Sequence, residues 1–342
     1  MSDRYVFTSM TRISDLSARH FAVEPLPRDD WGRGDYVVAE VVPQPPSPYQ
    51  VELDNGRMIE VLPGDQLIGA FGTRAATLEG VGDWAAIGDD GRLSALTGAG
   101  LFGKGTSLSP EMSRIIELQY VGHTMRDGGK LTMTDFVTTA PDREFDMPVV
   151  LLLGTSMSAG KTTTGRFIVH ELKAEGLGVV GAKLTGAARY RDVLSFADAG
   201  ADHIFDFVDA GLPSTVVEPE VYRAAIGPLL ARIAASGADV LVAEAGASPL
   251  EPYNGATFVE MLRDNIRCAV LCASDPYAVL GVQTAFGFEP DLVCGPASNT
   301  DAAVALVKKL TGLPALNLLD PANLRKLRNL LRERLPFRAI RI

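Results

Sequence analysis

Hydrophobic and polar positions along the chain form two textures that meet near residue 145. Before that point, short β-type runs (residues 36–42, 49–53, 58–62, 66–71, 115–121 and 131–137) are separated by turn residues. Asp54-Asn55-Gly56 lies between the second and third runs and is a hairpin signal, because Asn-Gly tolerates positive φ at the turn positions. Such runs predict a small β-rich domain, a barrel or a sandwich. Residues 73–110 are glycine-rich and give no clear period.

After Pro148 the pattern changes. Apolar runs at 149–153, 179–184, 240–243, 268–273 and 292–294, with a weaker sixth at 315–318, alternate with helical stretches at 162–175, 218–235, 255–263 and 300–311. Continuous apolar strands spaced by helices predict an α/β domain with a mostly parallel sheet covered by helices on both faces. The expected organisation is a β-rich domain over residues 1–145, serving as a lid or in substrate selection, then an α/β domain over 146–342. Residues 142–146 read as the linker.

Composition narrows the class. The chain has 342 residues, 46% of them hydrophobic and 22% charged, which suits a globular protein with two cores. Net charge is −10 with no run of five like charges, which argues against sequence-independent nucleic-acid binding. MSDRYVFTSM at the N-terminus lacks an apolar core of signal-peptide length, and no window approaches a membrane span. A cytoplasmic protein with no membrane partner is expected. Cys268, Cys272 and Cys294 lie in or beside apolar runs and read as buried thiols in a reducing compartment.

The chemistry concentrates after the first apolar run of the second domain. Gly154-Thr155-Ser156-Met157-Ser158-Ala159-Gly160-Lys161-Thr162 leads from a strand into a helix, with Thr163 as the next helical residue. Backbone N–H groups of such a loop form an anion nest, and the helix adds the positive end of its dipole. Lys161 would reach the β- and γ-phosphates, and the Thr162 hydroxyl would hold Mg2+. The usual first glycine belongs at position 155; here it is displaced to 154. Gly98-Ala-Gly-Leu-Phe-Gly103-Lys104 has the same glycine spacing, but residue 105 is glycine and no strong strand precedes it. It reads as a flexible loop.

Three further candidates follow. Glu244 ends an apolar strand, where open parallel sheets bind ligands, and is a candidate Mg2+ carboxylate. Lys183 also sits late in an apolar strand, which is costly unless the ammonium meets an anion or solvent. Its strand is expected beside the cradle strand, with Lys183 facing substrate or phosphate. The polar stretch 189–209 could supply a second metal carboxylate. Spacing does not choose among its aspartates, and Asp192 is put forward. His203 reads as structural, and the other histidines show no partners in the sequence.

The loop GTSMSAGKT, the strand end GAKLTG and the turn Ala243-Glu244-Ala245-Gly246-Ala247 resemble the dethiobiotin synthetase group of P-loop enzymes. Residues 291–299 followed by Gly312-Leu313-Pro314 are similar to that group's late strands, where an asparagine borders the nucleotide base; this points to Asn299. Pro252-Tyr253-Asn254-Gly255 and Asp206-Phe207 resemble a second, poorly characterised family with the same P-loop domain, one branch of which is associated with D-glutamate N-acetylation. The resemblance spans roughly residues 148–320 and does not extend to 1–145. It implies an ATP-dependent enzyme, often a homodimer with its site near the subunit interface. The extra N-terminal domain and the Glu244 turn depart from dethiobiotin synthetase itself.

The leading expectation is an ATP- and Mg2+-dependent phosphotransferase or ligase acting on a small anionic metabolite, with Lys161, Lys183 and Glu244 as catalytic groups. Two alternatives stand beside it: a nucleotide-dependent switch or delivery protein, and an acyltransferase that uses the cradle for coenzyme A.

Overall fold

The computed structural model describes residues 5–45 and 48–335. The first four residues of the N-terminal stretch weighed as a targeting signal lie outside them. The chain divides into two compact units. One comprises Met1–Thr139 with Ala187–Arg191 and Phe207–Ile226; the other comprises Ala140–Gly186, Asp192–Asp206 and Gly227–Ile342. A single cut at 145/146 does not describe this division, because two later segments belong with the first unit.

Hydrogen bonds and ion pairs explain that membership. The Glu52 carboxylate accepts from the Tyr190 and Arg191 amides at 2.7 and 2.8 Å, and Ala187 bridges Ser214. Arg12 pairs with Asp209 at 3.1 Å. None of these long-range links leaves a periodic trace in the sequence.

In the first unit, strands Gln66–Phe71, Tyr36–Val41, Ile116–Arg126, Arg92–Thr97 and Leu101–Leu108 pair in that order, and the last pairs back to the first. The five strands therefore close into a barrel, which removes their free edges. Inward residues Val37, Ala39, Leu67, Phe71, Leu93, Phe102 and Leu118 fill it. Two expectations are corrected here. Residues 98–104 are not a flexible loop: they turn into the strand Leu101–Leu108, whose Leu101 and Phe102 are fully buried. Residues 131–137 are not a strand but contain a 3-10 turn, Met133–Phe136, after a hairpin at Asp127-Gly128 whose two residues both take positive φ. His123, partnerless in the sequence, is buried between the Tyr120 hydroxyl at 2.6 Å and Asp35 at 3.1 Å.

In the second unit, six parallel strands are β1 (Val149–Gly154), β2 (Val179–Thr185), β3 (His203–Asp206), β4 (Val240–Ala245), β5 (Ile266–Cys272) and β6 (Leu292–Cys294). Their order across the sheet is β3-β2-β4-β1-β5-β6, all in parallel register. The helices are α1 (Lys161–Ala174), α2 (Tyr190–Asp198), α3 (Pro219–Ala234), α4 (Gly255–Leu262), α5 (Pro276–Phe286), α6 (Asp301–Thr311) and α7 (Leu324–Arg334); the first residues of α2 and α3 fall in the first unit. The expected α/β architecture is present, and the strand runs match the apolar pattern closely. The weak sixth run contributes only an isolated bridge, Ala315 to Val293. β1 and β4 are buried along their whole length, which is why they read as unbroken apolar runs. Among the described residues, no helix is long and apolar enough to cross a membrane.

Candidate functional site

The cradle starts where β1 ends. Gly160 caps α1 with φ +90, a left-handed conformation that disfavours any side chain. A second glycine, Gly295 (φ +82), comes up against the loop: a Cβ there would stand 2.3 Å from the Ala159 carbonyl oxygen. The turn after β6 thus seats against Ala159 and Gly160 through a contact only glycine allows. Sequence reading missed Gly295.

The displaced first glycine has a steric reason. A Cβ at Gly154 would lie 2.6 Å from Lys161 Nζ and 2.8 Å from its Cδ, so the lysine chain runs directly over residue 154. Thr155, standing where glycine was expected, turns aside: its Oγ1 accepts from the Ser274 amide at 3.1 Å, and its own amide donates to the Cys272 carbonyl at 3.0 Å. Lys161 is 1% exposed, and its Nζ donates to the Ser156 carbonyl at 2.7 Å. Burial pushes its pKa down, opposed by Glu244. Ser158 and Thr163 are exposed and Ala159 is buried.

Thr162 Oγ1 donates to the Glu244 carboxylate at 3.2 Å. The two side chains therefore meet. Glu244 is 2% exposed, and burial, then the nearby Asp192 charge, pushes its pKa up against the pull of Lys161 and Lys183. Among the described residues, no three His, Cys, Asp or Glu side chains converge as a metal site. A hydroxyl and a carboxylate are nonetheless hard oxygen donors of the kind Mg2+ takes when phosphates and water complete its shell, so this pair fits the group.

The sheet order corrects the expected neighbour of Lys183. β4 lies between β2 and β1, so the lysine strand borders the Glu244 strand and not the cradle strand. Register aligns Asp206, Lys183, Glu244 and Leu152 in one row across β3, β2, β4 and β1. Paired residues of a parallel sheet share a face, and Leu152 reaches Gly165 of α1, which places this row on the α1 side. Lys183 Nζ bonds Asp192 Oδ2 at 2.6 Å. Burial alone would lower the Lys183 pKa, but Asp192 and Glu244 together carry it upward. Asp192 is thus engaged by Lys183, and Asp206, which the sequence offered as one aspartate among several, is buried opposite the same lysine.

Glycines also shape this corner. A Cβ on Gly246 would stand 2.2 Å from the Thr185 carbonyl oxygen and 2.7 Å from Lys183 Cε. Asn299 lies just after the 3-10 turn Pro296–Ser298; it is exposed, and its carbonyl accepts from Asn317 Nδ2 at 3.1 Å.

The three cysteines are buried, as expected. Burial pushes the Cys268 and Cys272 thiols up to about 12, and the Cys294 thiol well above its ordinary value. In the folded protein, none of the three is expected to react with a thiol reagent at pH 8, and all three should react once denaturant is added. Rapid labelling of a native thiol would contradict this burial.

No protein-family model matches the chain, and no curated protein is similar to it in sequence. Solved structures are similar to part of the chain at low identity. HypB from Helicobacter pylori, solved in complex with nickel, is 19% identical with a TM-score of 0.38, over 55% of this chain and 86% of that one. The signal recognition particle receptor FtsY from Elizabethkingia anophelis is 15% identical with a TM-score of 0.35, over 54% and 61%. A DUF1611 family protein from Anabaena variabilis is 17% identical with a TM-score of 0.36, over 58% and 60%. The match spans less than two thirds of the length of the last two. At these values the likeness says nothing of substrate or partner.

Proposed function

We propose that this chain binds a nucleoside triphosphate with Mg2+ and couples its hydrolysis, in which water takes the γ-phosphoryl group to give inorganic phosphate and the nucleoside diphosphate, to a change at α2, acting as a nucleotide-dependent switch. The carrying observation is the Lys183–Asp192 pair at 2.6 Å, set beside Glu244 at the carboxyl ends of β2 and β4. In this reading the loop amides and Lys161 hold the phosphates, with Lys161 exchanging the Ser156 carbonyl for phosphate oxygen. Thr162 and Glu244 would hold Mg2+, which would supply charge neutralisation for the phosphate. A redistribution of charge at Glu244 changes what Asp192 and Lys183 each face, and Asp192 carries that change into α2.

A second reading keeps the same machinery and makes the chain an ATP-dependent phosphotransferase or ligase. It is favoured by Lys183 itself, a buried ammonium at the strand ends where a small anionic acceptor would bind. A homodimer belongs to both readings as a proposal, and light scattering with and without nucleotide tests it.

Calorimetric titration with ATP, GTP and acetyl-CoA tests the first step, followed by phosphate-release assays with and without a set of small carboxylates and alcohols. Slow release that no small molecule stimulates supports the switch. Release stimulated by a particular acceptor supports the transferase. Binding of acetyl-CoA with neither nucleotide would sink both. Glu244→Gln keeps the hydrogen bond to Thr162 but removes the charge, and is expected to raise the Mg2+ concentration needed for half-maximal release by about 10–100-fold. An unchanged Mg2+ dependence would remove Glu244 from the metal site.

A further inference from the structure

The start of α2 is capped by a carboxylate from far along the chain. Glu52 is 1% exposed. Its Oε2 accepts from the Tyr190 amide at 2.7 Å and its Oε1 from the Arg191 amide at 2.8 Å. The Ser9 hydroxyl donates to Oε2 at 2.5 Å. Tyr190 and Arg191 are the first two residues of α2, and the amides of a first helical turn have no acceptor within the helix. A carboxylate at this end also meets the positive pole of the helix dipole. Ser9, Glu52, Tyr190 and Arg191 all belong to the β-rich unit.

The local sequence offers no such cap. Residue 189, just before the helix, is an arginine, whose side chain cannot accept a hydrogen bond. The acidic residue of the first turn, Asp192, stands third in the helix, where a carboxylate can reach back to the amide preceding it. Its Oδ2 takes the Lys183 ammonium at 2.6 Å instead. Glu52 thus does the capping that leaves Asp192 available to Lys183. Asp192 follows Arg191 directly, so a helix start fixed at the Arg191 amide fixes where the Asp192 side chain begins. Tyr190 is restrained as well: the Arg12 guanidinium lies 4.8 Å from its ring centroid and is itself paired with Asp209.

We propose that Glu52 is a positioning residue for nucleotide hydrolysis: by clasping the Tyr190 and Arg191 amides it sets the start of α2 and holds Asp192 on Lys183. The inference rests on the reading of the Lys183–Asp192 pair as part of the switch. Glutamine in place of Glu52 keeps the shape but turns an amide NH2, a donor, toward one of the two backbone N–H groups, so only one of the two bonds survives.

Two measurements on the full-length protein test the proposal, and the first needs no turnover. The Nζ–H resonance of buried Lys183 reports its partner. Lys183→Met identifies that signal by its disappearance, and Asp192→Asn shows where it moves when the carboxylate is gone. Glu52→Gln is expected to shift it toward the Asp192→Asn position, and Ser9→Ala to shift it less, in the same direction. An unshifted Lys183 signal in Glu52→Gln would overturn the positioning role; should that variant fail to fold, Ser9→Ala decides by the same signal. The second measurement is a double-mutant cycle on phosphate release. Glu52→Gln and Asp192→Asn should each slow release by about 10- to 100-fold, with nucleotide affinity little changed, and the double variant should be no slower than Asp192→Asn alone. Losses that multiply would show Glu52 acting apart from Asp192 and would also overturn the proposal. A parent protein that releases no phosphate defeats the hydrolytic reading instead, and the Lys183 signal then still decides whether Glu52 holds Asp192 in place.

Discussion

Lys161→Ala is expected to lower the rate of γ-phosphate release by about 100- to 1000-fold, the usual range for removing one preorganised donor to developing charge. The structure adds a second, less obvious effect. Lys161 is buried and fills the space over Gly154, with its ammonium bonded to the loop's own Ser156 carbonyl. Removing it leaves that carbonyl without its partner and opens the floor of the loop. The variant should therefore lose nucleotide affinity as well as turnover, while the rest of the sheet stays folded. Calorimetry, phosphate release and circular dichroism on one preparation separate these effects. Retained affinity and turnover would remove the cradle from the function.

The second large effect is expected at Gly246. Alanine there brings a methyl group to within 2.2 Å of the Thr185 carbonyl oxygen, which is backbone and cannot step aside. The Gly246 amide also donates to Thr185 at both its carbonyl, 3.0 Å, and its Oγ1, 3.1 Å. Relief requires the turn after β4 to move away from β2, and Lys183 Cε stands in the remaining space. Overpacking of this kind costs about 1–3 kcal/mol, so Gly246→Ala should lower the denaturant midpoint and also displace Lys183 from Asp192. A Lys183→Met control measures the loss of the ammonium without the backbone shift. If Gly246→Ala matched the parent in stability and turnover, the close approach of these two turns would be wrong.

The second unit was legible because its central strands β2, β4 and β1 are buried on both faces. Nothing polar interrupts β1, and the loop after it carries its glycines, lysine and threonine in one unbroken stretch. What failed to show was lateral order. The apolar runs of β2 and β4 are alike, and only hydrogen bonding puts β4 between β2 and β1 and so brings Lys183 beside Glu244. α2 also escaped notice. It is short, and its polar residues are spent on tertiary partners, Asp192 on Lys183 among them. Gly295 escaped for the same reason: its need for glycine comes from Ala159, well over a hundred residues earlier. In the barrel, residues 98–104 read as a flexible loop because three glycines break the alternation. Those glycines are where neighbouring strands come too close for side chains: at Gly103 a Cβ would meet Asp83 and Trp84 backbone atoms at 2.8 Å.

The row of buried charge across β3, β2 and β4 has an electrostatic consequence. Lys183, Glu244 and Asp206 of this row, with buried Lys161 of α1 and half-buried Asp192 of α2, carry two positive and three negative charges when fully ionised. Such a site carries one net negative charge, which in the proposed reading a divalent cation would offset as the triphosphate enters. Because burial and Asp192 both raise the Glu244 pKa, a proton competes with the cation for the same carboxylate. Metal uptake then expels protons, and apparent metal affinity falls as the solution is made more acidic. Titrating Mg2+ in buffers of different ionisation enthalpy would count the protons released, making this corner of the sheet a measurable exchange of hydrogen ion for metal.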